Sequence, residues 1–154
     1  MPTADLPAPA DILPHTGDMV LLSQVLSHDA TETVCRAEVD EQALFRDATG
    51  EVGAWVGVEF MAQCIGAHAG LAARERGESP RVGFLLGARR VHFHCSRYRR
   101  GQSLRVTASH VWGEPPGLVS FNCSIEDAST GDCLAEGRLN CFLPDDPAGL
   151  EEMP

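Results

Sequence analysis

Residues 55–76, WVGVEFMAQCIGAHAGLAARER, form the only run in the chain long enough and free enough of proline for about five or six helical turns. The punctuation agrees: Gly53 precedes it, Arg74 and Arg76 fall in the last turn where cations suit the helix dipole, and Gly77 stops it. Apolar and small residues occur on every side, which predicts a helix wrapped by other structure over most of its circumference. Gly57, Ala62, Gly66 and Gly70 predict a close approach to its backbone. Into this surface the sequence places Glu59 and Gln63, four positions apart and so about 40° apart around the axis. A carboxylate buried in an apolar helix costs several kcal/mol unless it is paired or put to use, so Glu59 is the first functional clue.

Working outward, the 154 residues suffice for one domain and one core, expected over 11–144. The proline- and alanine-rich residues 1–10 are expected to be loose, and the acidic tail 145–154 disordered. A hydrophobic content of 44% and a mean hydropathy of −0.10 describe a soluble globular chain. Glu59, Gln63 and His68 interrupt the apolar run and argue against a bilayer span. MPTADLPAPAD has neither a basic start nor an apolar stretch of signal type, so a cytoplasmic location is expected. Cysteines 35, 64, 95, 123, 133 and 141 contain no C-x-x-C pair and are expected as reduced core residues, without disulfides or zinc.

Net charge is −10, which disfavours nucleic acid as a partner. Its distribution says more. From Arg74 to Arg105 nine arginines face only two acids, Glu75 and Glu78. That basic quarter fits a docking site for an anionic partner, a phosphate-bearing ligand or an acidic carrier protein, or else the solvated face of strands.

Hydrophobic alternation predicts strands over 19–27 and 33–40, which should pair as a hairpin, and a polar loop over 41–53 leading into the helix. After GESP (77–80) come four further strands: 81–95 with a bulge at Gly87, 101–112, 118–127 and 133–144. GEPPG (113–117) and ASTGD (128–132) are turns. The expected class is α+β, with the last four strands in a meander and an antiparallel sheet rolled around one helix, the hotdog arrangement. Such a sheet leaves edges, so pairing with a second copy into at least a homodimer is expected.

Five pieces in this order, LPH (13–15), MVLLSQV (19–25), GVEFMAQ (57–63), GFLLGARR (83–90) and GQSL (101–104), resemble the hotdog-fold 3-hydroxyacyl-ACP dehydratases of fatty-acid biosynthesis. The resemblance is closest to the small dehydratase-like proteins of bacterial aryl-polyene clusters and spans about residues 10–143. It implies dehydration of a 3-hydroxyacyl chain carried on the phosphopantetheine of acyl carrier protein, in a tunnel at a dimer interface. No metal and no diffusible cofactor are implied. Removing water across C2 and C3 needs a base, an acid and dipoles that stabilise enolate character in the thioester. The resemblance puts Glu59 at the catalytic glutamate and Gln63 at its companion glutamine, and Ala54 and Trp55 where helix-start amides would stabilise negative charge. Gly57 and Phe84 join these as substrate-binding candidates, with Trp55, Phe60 and Met61 as tunnel lining or ordinary core.

The chain departs from that family at one point. Where a G-H-F-P loop would supply the catalytic histidine, LFRDATGEVGAW (44–55) contains none. Three accounts stay open: His15 supplies the imidazole, Glu59 works with water or a partner subunit, or the chain is a companion subunit to a catalytic hotdog protein. A hotdog thioesterase is a further alternative. His92 and His94 have ligand spacing on a strand but no third ligand in pattern, and His68, about 180° from Glu59, is expected as a satisfied core or interface histidine. Arg97, Arg99 and Arg100 are the candidates for carrier docking.

Overall fold

A computed structural model describes residues 6–79 and 82–144. The acidic tail 145–154, residues 80 and 81, and the first five residues of the N-terminal stretch lie outside the described residues. One helix, α1 (Gly57–Glu75), crosses a six-stranded antiparallel sheet. The strands are β1 (Gln24–His28), β2 (Glu32–Glu38), β4 (Phe84–Phe93), β6 (Ser103–Trp112), β7 (Gly117–Asp127) and β8 (Cys133–Leu143), with a small ribbon of β3 (Val52–Gly53) and β5 (Arg97–Tyr98) beside them. This is the expected α+β hotdog.

Spatial order is β1-β2-β6-β7-β8-β4, which corrects the simple meander. β6, β7 and β8 do follow one another, but β4 leaves the helix for the far edge beside β8, and the chain then returns to set β6 against β2. The return passes through β5, which pairs with β3 (Val52 opposite Tyr98, Gly53 opposite Arg97). Two-residue strands carry no hydrophobic period, so the ribbon was invisible in the sequence. The first strand is also shorter than expected. Residues 17–19 make a tight turn that begins on Gly17 at φ +58°, and regular pairing starts only at Gln24. The bulge at Gly87 is present, and a second lies between Arg89 and His92, where Arg90 holds φ +53°.

A short turn, Ala54–Val56, precedes α1, and Gly77 at φ +73° ends it. Phe60, Met61, Cys64, Ile65, Ala67 and Leu71 are buried and pack with sheet residues such as Val106, Ala108, Ile125 and Leu139. The helix's small residues serve a different contact. A side chain on Gly70 would lie 2.1 Å from the Ile12 carbonyl oxygen, and one on Gly66 would lie 3.1 Å from a Leu13 methyl. Residues 12–15 therefore form a strap laid along α1, with Ile12 and Leu13 buried. Among the described residues, no helix is long and apolar enough to cross a membrane. All six cysteines are free; four are buried, whereas Cys95 is half-buried and Cys133, at the start of β8, is exposed.

The two glycines should respond differently to a methyl group. Gly70→Ala meets a backbone carbonyl that cannot rotate away, so a loss of about 2 kcal/mol or more in denaturant unfolding is expected. Gly66→Ala meets a side-chain methyl and gains helix propensity, so its stability should stay within about 1 kcal/mol of the parent.

Candidate functional site

The strap delivers His15 to the first turns of α1. With Ile12 set against Gly70 and Leu13 against Gly66, the chain runs towards the helix start, and His15 Nε2 comes to 3.8 Å from Glu59 Oε1. Gln63 holds the next part of the strap. Its side-chain oxygen accepts from the Leu21 N–H at 2.9 Å, while its NH2 donates to the Met19 carbonyl at 2.7 Å and to Glu59 Oε1 at 3.2 Å. Gln42 fixes the other side of the same loop, donating to the Leu21 and Glu38 carbonyls. His15 Nδ1 is buried and has no partner among the described residues.

His15, Glu59, Gln63 and Phe84 line one cleft of about 350 Å3, together with Ala62, Gly66, Val82, Leu85, Cys141 and Leu143. The cleft is apolar along the helix and sheet and polar at one end, the arrangement that takes a chain with a reactive head. Glu59 is not sealed in the core, which corrects the expectation of a buried carboxylate. Its side chain keeps 39% exposure and His15's 30%, because both stand where the helix start and the strap open onto the cleft. At 3.8 Å the pair is too far apart for a direct hydrogen bond, and it flanks a space rather than closing it.

Ala54, Trp55 and Gly57 do not line this cleft. The Ala54 N–H donates to the Ser96 carbonyl at 3.0 Å, and the Ala54 carbonyl accepts from the Tyr98 hydroxyl. Trp55 is 69% exposed and stands edge-on to Phe45. A side chain on Gly57 would collide with the Tyr98 hydroxyl, so the glycine lets that buried ring reach the helix. The expected docking arginines are partly engaged: Arg97 pairs with Asp47, Arg99 lies 3.8 Å from Asp127, and the Arg100 stem covers Gly50. Arg89 and Arg90 have no acidic partner among the described residues, and with Arg138 and His92 they line a shallow concavity on β4 and β8.

Of the two histidines, His94, one residue past the end of β4, acquires neighbours the sequence did not signal. Ligand atoms of His94, Cys133 and Glu136 lie within 4.8 Å of one another, an exposed trio assembled by β4–β8 pairing. His68 is buried on the far side of α1 from Glu59, as expected, bonded at Nδ1 to the Thr33 hydroxyl.

The sequence matches the ApeP dehydratase family over residues 7–152. The chain belongs to that ApeP-like family. Among solved structures it is similar to the dehydratase heterocomplex ApeI:P from Xenorhabdus doucetiae, with a TM-score of 0.86 and 28% identity over 95% of this chain and 97% of that one. More distant likenesses are a hypothetical thioesterase with coenzyme A from Streptococcus pneumoniae (TM-score 0.59, 10% identity, 78% and 84% covered) and zebra fish thioesterase superfamily member 2 (0.60, 18%, 88% and 89%). At such identities they speak for the hotdog fold alone. No curated protein matches the chain. As an ApeP-like chain it carries a dehydratase relationship, and the Glu59 cleft is where its geometry concentrates suitable groups.

Gln63 makes three hydrogen bonds, two of which join the helix to backbone groups of residues 19 and 21. Gln63→Leu preserves volume and strands those groups. About 1–3 kcal/mol of stability should be lost, and the Leu21 amide should exchange faster than core amides in hydrogen-exchange measurements.

Proposed function

We propose that this chain acts in the dehydration of 3-hydroxyacyl thioesters carried on acyl carrier protein, in aryl-polyene or fatty-acid-type biosynthesis, with the chemistry at His15 and Glu59. The observation that supports this most is their meeting across the mouth of an apolar cleft, 3.8 Å apart, although 44 residues separate them in the chain. A 3-hydroxyacyl head placed between them presents a C2 proton to one group and a C3 hydroxyl to the other. One group takes the C2 proton, the C2–C3 double bond forms, and the hydroxyl leaves as water with a proton from its neighbour. The proton count closes when the pair re-equilibrates across its narrow gap. Gln63 orients the carboxylate through its NH2 while anchoring the strap that carries His15. Phe84, at the start of β4, lines the wall along which the acyl chain would lie. Ala54, Trp55 and Gly57, expected at the thioester, lie outside this cleft, and the Ala54 N–H is bonded to Ser96, so they take no part in this reading.

A second hotdog subunit fits the same reading. β4 is a ten-residue edge strand whose Phe84, Leu85, Leu86 and Phe93 are exposed, and the similar solved structure is a two-protein dehydratase complex. Pairing along β4 would close the cleft from the open side and place partner residues near Glu59. The partner is another copy or a different hotdog protein. The missing histidine of 44–55 favours a companion role in the second case, with the catalytic imidazole on the other chain. Carrier protein would dock on the arginines of the basic quarter, Arg97, Arg99 and Arg100, together with Arg89 and Arg90, which have no acidic partner among the described residues.

Purified protein incubated with 3-hydroxyacyl carrier protein separates the readings. New alkene absorbance marks a dehydratase, released thiol a thioesterase, and activity only after a second hotdog protein is added marks a companion. Glu59→Gln should lower dehydration by about a hundredfold or more with the fold intact. A variant as active as the parent would remove Glu59 from the chemistry. Reversing Arg97, Arg99 and Arg100 to glutamate should weaken carrier affinity and flatten its salt dependence, while unchanged affinity would move the docking site elsewhere.

A further inference from the structure

Two register shifts in neighbouring strands converge on the exposed face of the sheet. In β8 the pairing with β7 slips between Ala135, opposite Ile125, and Cys133, opposite Glu126, so Leu134 is an extra residue. Residues three apart in a regular strand point to opposite faces, and the extra residue turns Cys133 to the face of Glu136. In β4 the pairing with β8 slips between Arg89 and His92, where Arg90 holds φ +53°, a conformation unfavourable for a residue with a Cβ. This second slip sets His92 opposite Glu136 and brings His94 in beside it. The His94 N–H donates to the Leu134 carbonyl at 2.8 Å, which ties the end of β4 to the irregular residue of β8. The spacing of His92 and His94 offered no third ligand in sequence; strand pairing brings two to His94.

Three donors of different kinds result. Glu136 Oε2 lies 3.1 Å from Cys133 Sγ and 3.6 Å from His94 Nε2, and the three ligand atoms lie within 4.8 Å of one another. Ligand atoms on a tetrahedral zinc ion stand about 3.3–3.6 Å apart at its usual bond lengths, so small side-chain rotations close the set. Side-chain exposure of 48% at His94 and 52% at Glu136 lets a hydrated ion arrive. Thiolate, imidazole and carboxylate together suit zinc, whereas calcium and magnesium take oxygen ligands. Charge agrees with a cation: Glu126 faces Cys133 from β7, and Arg138, two residues beyond Glu136, is bonded to Asn122 at 3.2 Å.

We propose that His94, Cys133 and Glu136 hold a zinc ion, with water at the fourth position, and that the ion fastens the end of β4 to the start of β8. Cys133 shares its thiol hydrogen with Glu136; on binding, that proton leaves to solvent and the thiolate ligates the metal. None of the three residues lines the Glu59 cleft, so the site stands whether or not dehydration takes place there.

Zinc and cobalt(II) are the probes, added to the full chain under a phosphine reductant that does not compete for metal. Calorimetric titration should show one equivalent of zinc bound, undiminished by excess magnesium or calcium. Cobalt should give the near-ultraviolet charge-transfer band of a thiolate–metal bond and the visible bands of a tetrahedral site. Of the six cysteines only Cys133 is exposed, so the charge-transfer band should vanish in Cys133→Ser. His94→Ala and Glu136→Gln should each weaken zinc about tenfold or more. These side chains are exposed, so the substitutions leave the core untouched. Exchange of the His94 amide should slow on adding zinc to the parent and not to Cys133→Ser. No zinc binding, a charge-transfer band kept in Cys133→Ser, or unchanged affinity in His94→Ala and Glu136→Gln overturns the site. A His94 amide indifferent to saturating zinc overturns the fastening.

Discussion

The Ile12 carbonyl occupies the place where a side chain on Gly70 would be, and the rest of the site depends on that contact. A backbone can lie against a helix at that range only where the helix offers no Cβ. The contact sets the height of the strap on α1, Leu13 against Gly66 sets its direction, and His15 consequently arrives beside Glu59. Had the helix carried alanine or larger at Gly70, the strap would ride outward and the imidazole would leave the carboxylate. Gln63 then locks the arrangement, since its amide satisfies one donor and one acceptor of a loop that has no strand partner at those residues.

Much of this was legible in the chain. The glycines at 66 and 70 announced a close neighbour, and Glu59 with Gln63 announced a polar face. What approached was not legible, because the strap has no hydrophobic period and its partner lies more than fifty residues away. The same limit explains the strand order. The pattern in 81–95 and 101–112 predicts two strands, but nothing local says that the first goes to the far edge while the second crosses to β2. The Val52–Gly53 and Arg97–Tyr98 ribbon has too few residues to show alternation, yet it carries Tyr98 to the helix start, where Gly57 makes room for the ring. The burial of Glu59 was overestimated for a related reason. A helix that is apolar all round predicts enclosure on average, whereas the first turn stands at the rim of the sheet, where the cleft opens.

Cross-strand neighbours account for what else the sequence concealed. His28, Thr33, His68 and His110 come from two strands, the helix and a third strand, with separations that match no spacing motif. The polar atoms of His28, Thr33 and His68 are nonetheless arranged in sequence from Glu75 inwards, and a hydroxyl shared by two imidazoles allows only one direction of donation once the carboxylate is fixed. His68 is buried, bonded at Nδ1 to the Thr33 hydroxyl and set edge-on to Phe121, in keeping with a core histidine.

A second cavity, of about 210 Å3 and lined by His68, His110 and Phe121 among others, lies towards the other end of α1 and shares Ala69 and Leu143 with the Glu59 cleft. The helix fixes the spacing between Glu59 and His68, which side-chain motion cannot stretch. The adjustable parts lie on the sheet side. Leu143 belongs to the last residues of β8, and its neighbour β4 is an edge strand with apolar side chains left uncovered. A second subunit seated on β4 would press on the wall that separates the cavities, so association and access to the distal pocket act on the same few side chains. Under the proposed function, subunit pairing and the position of Leu143 would therefore be linked, with α1 as the fixed reference.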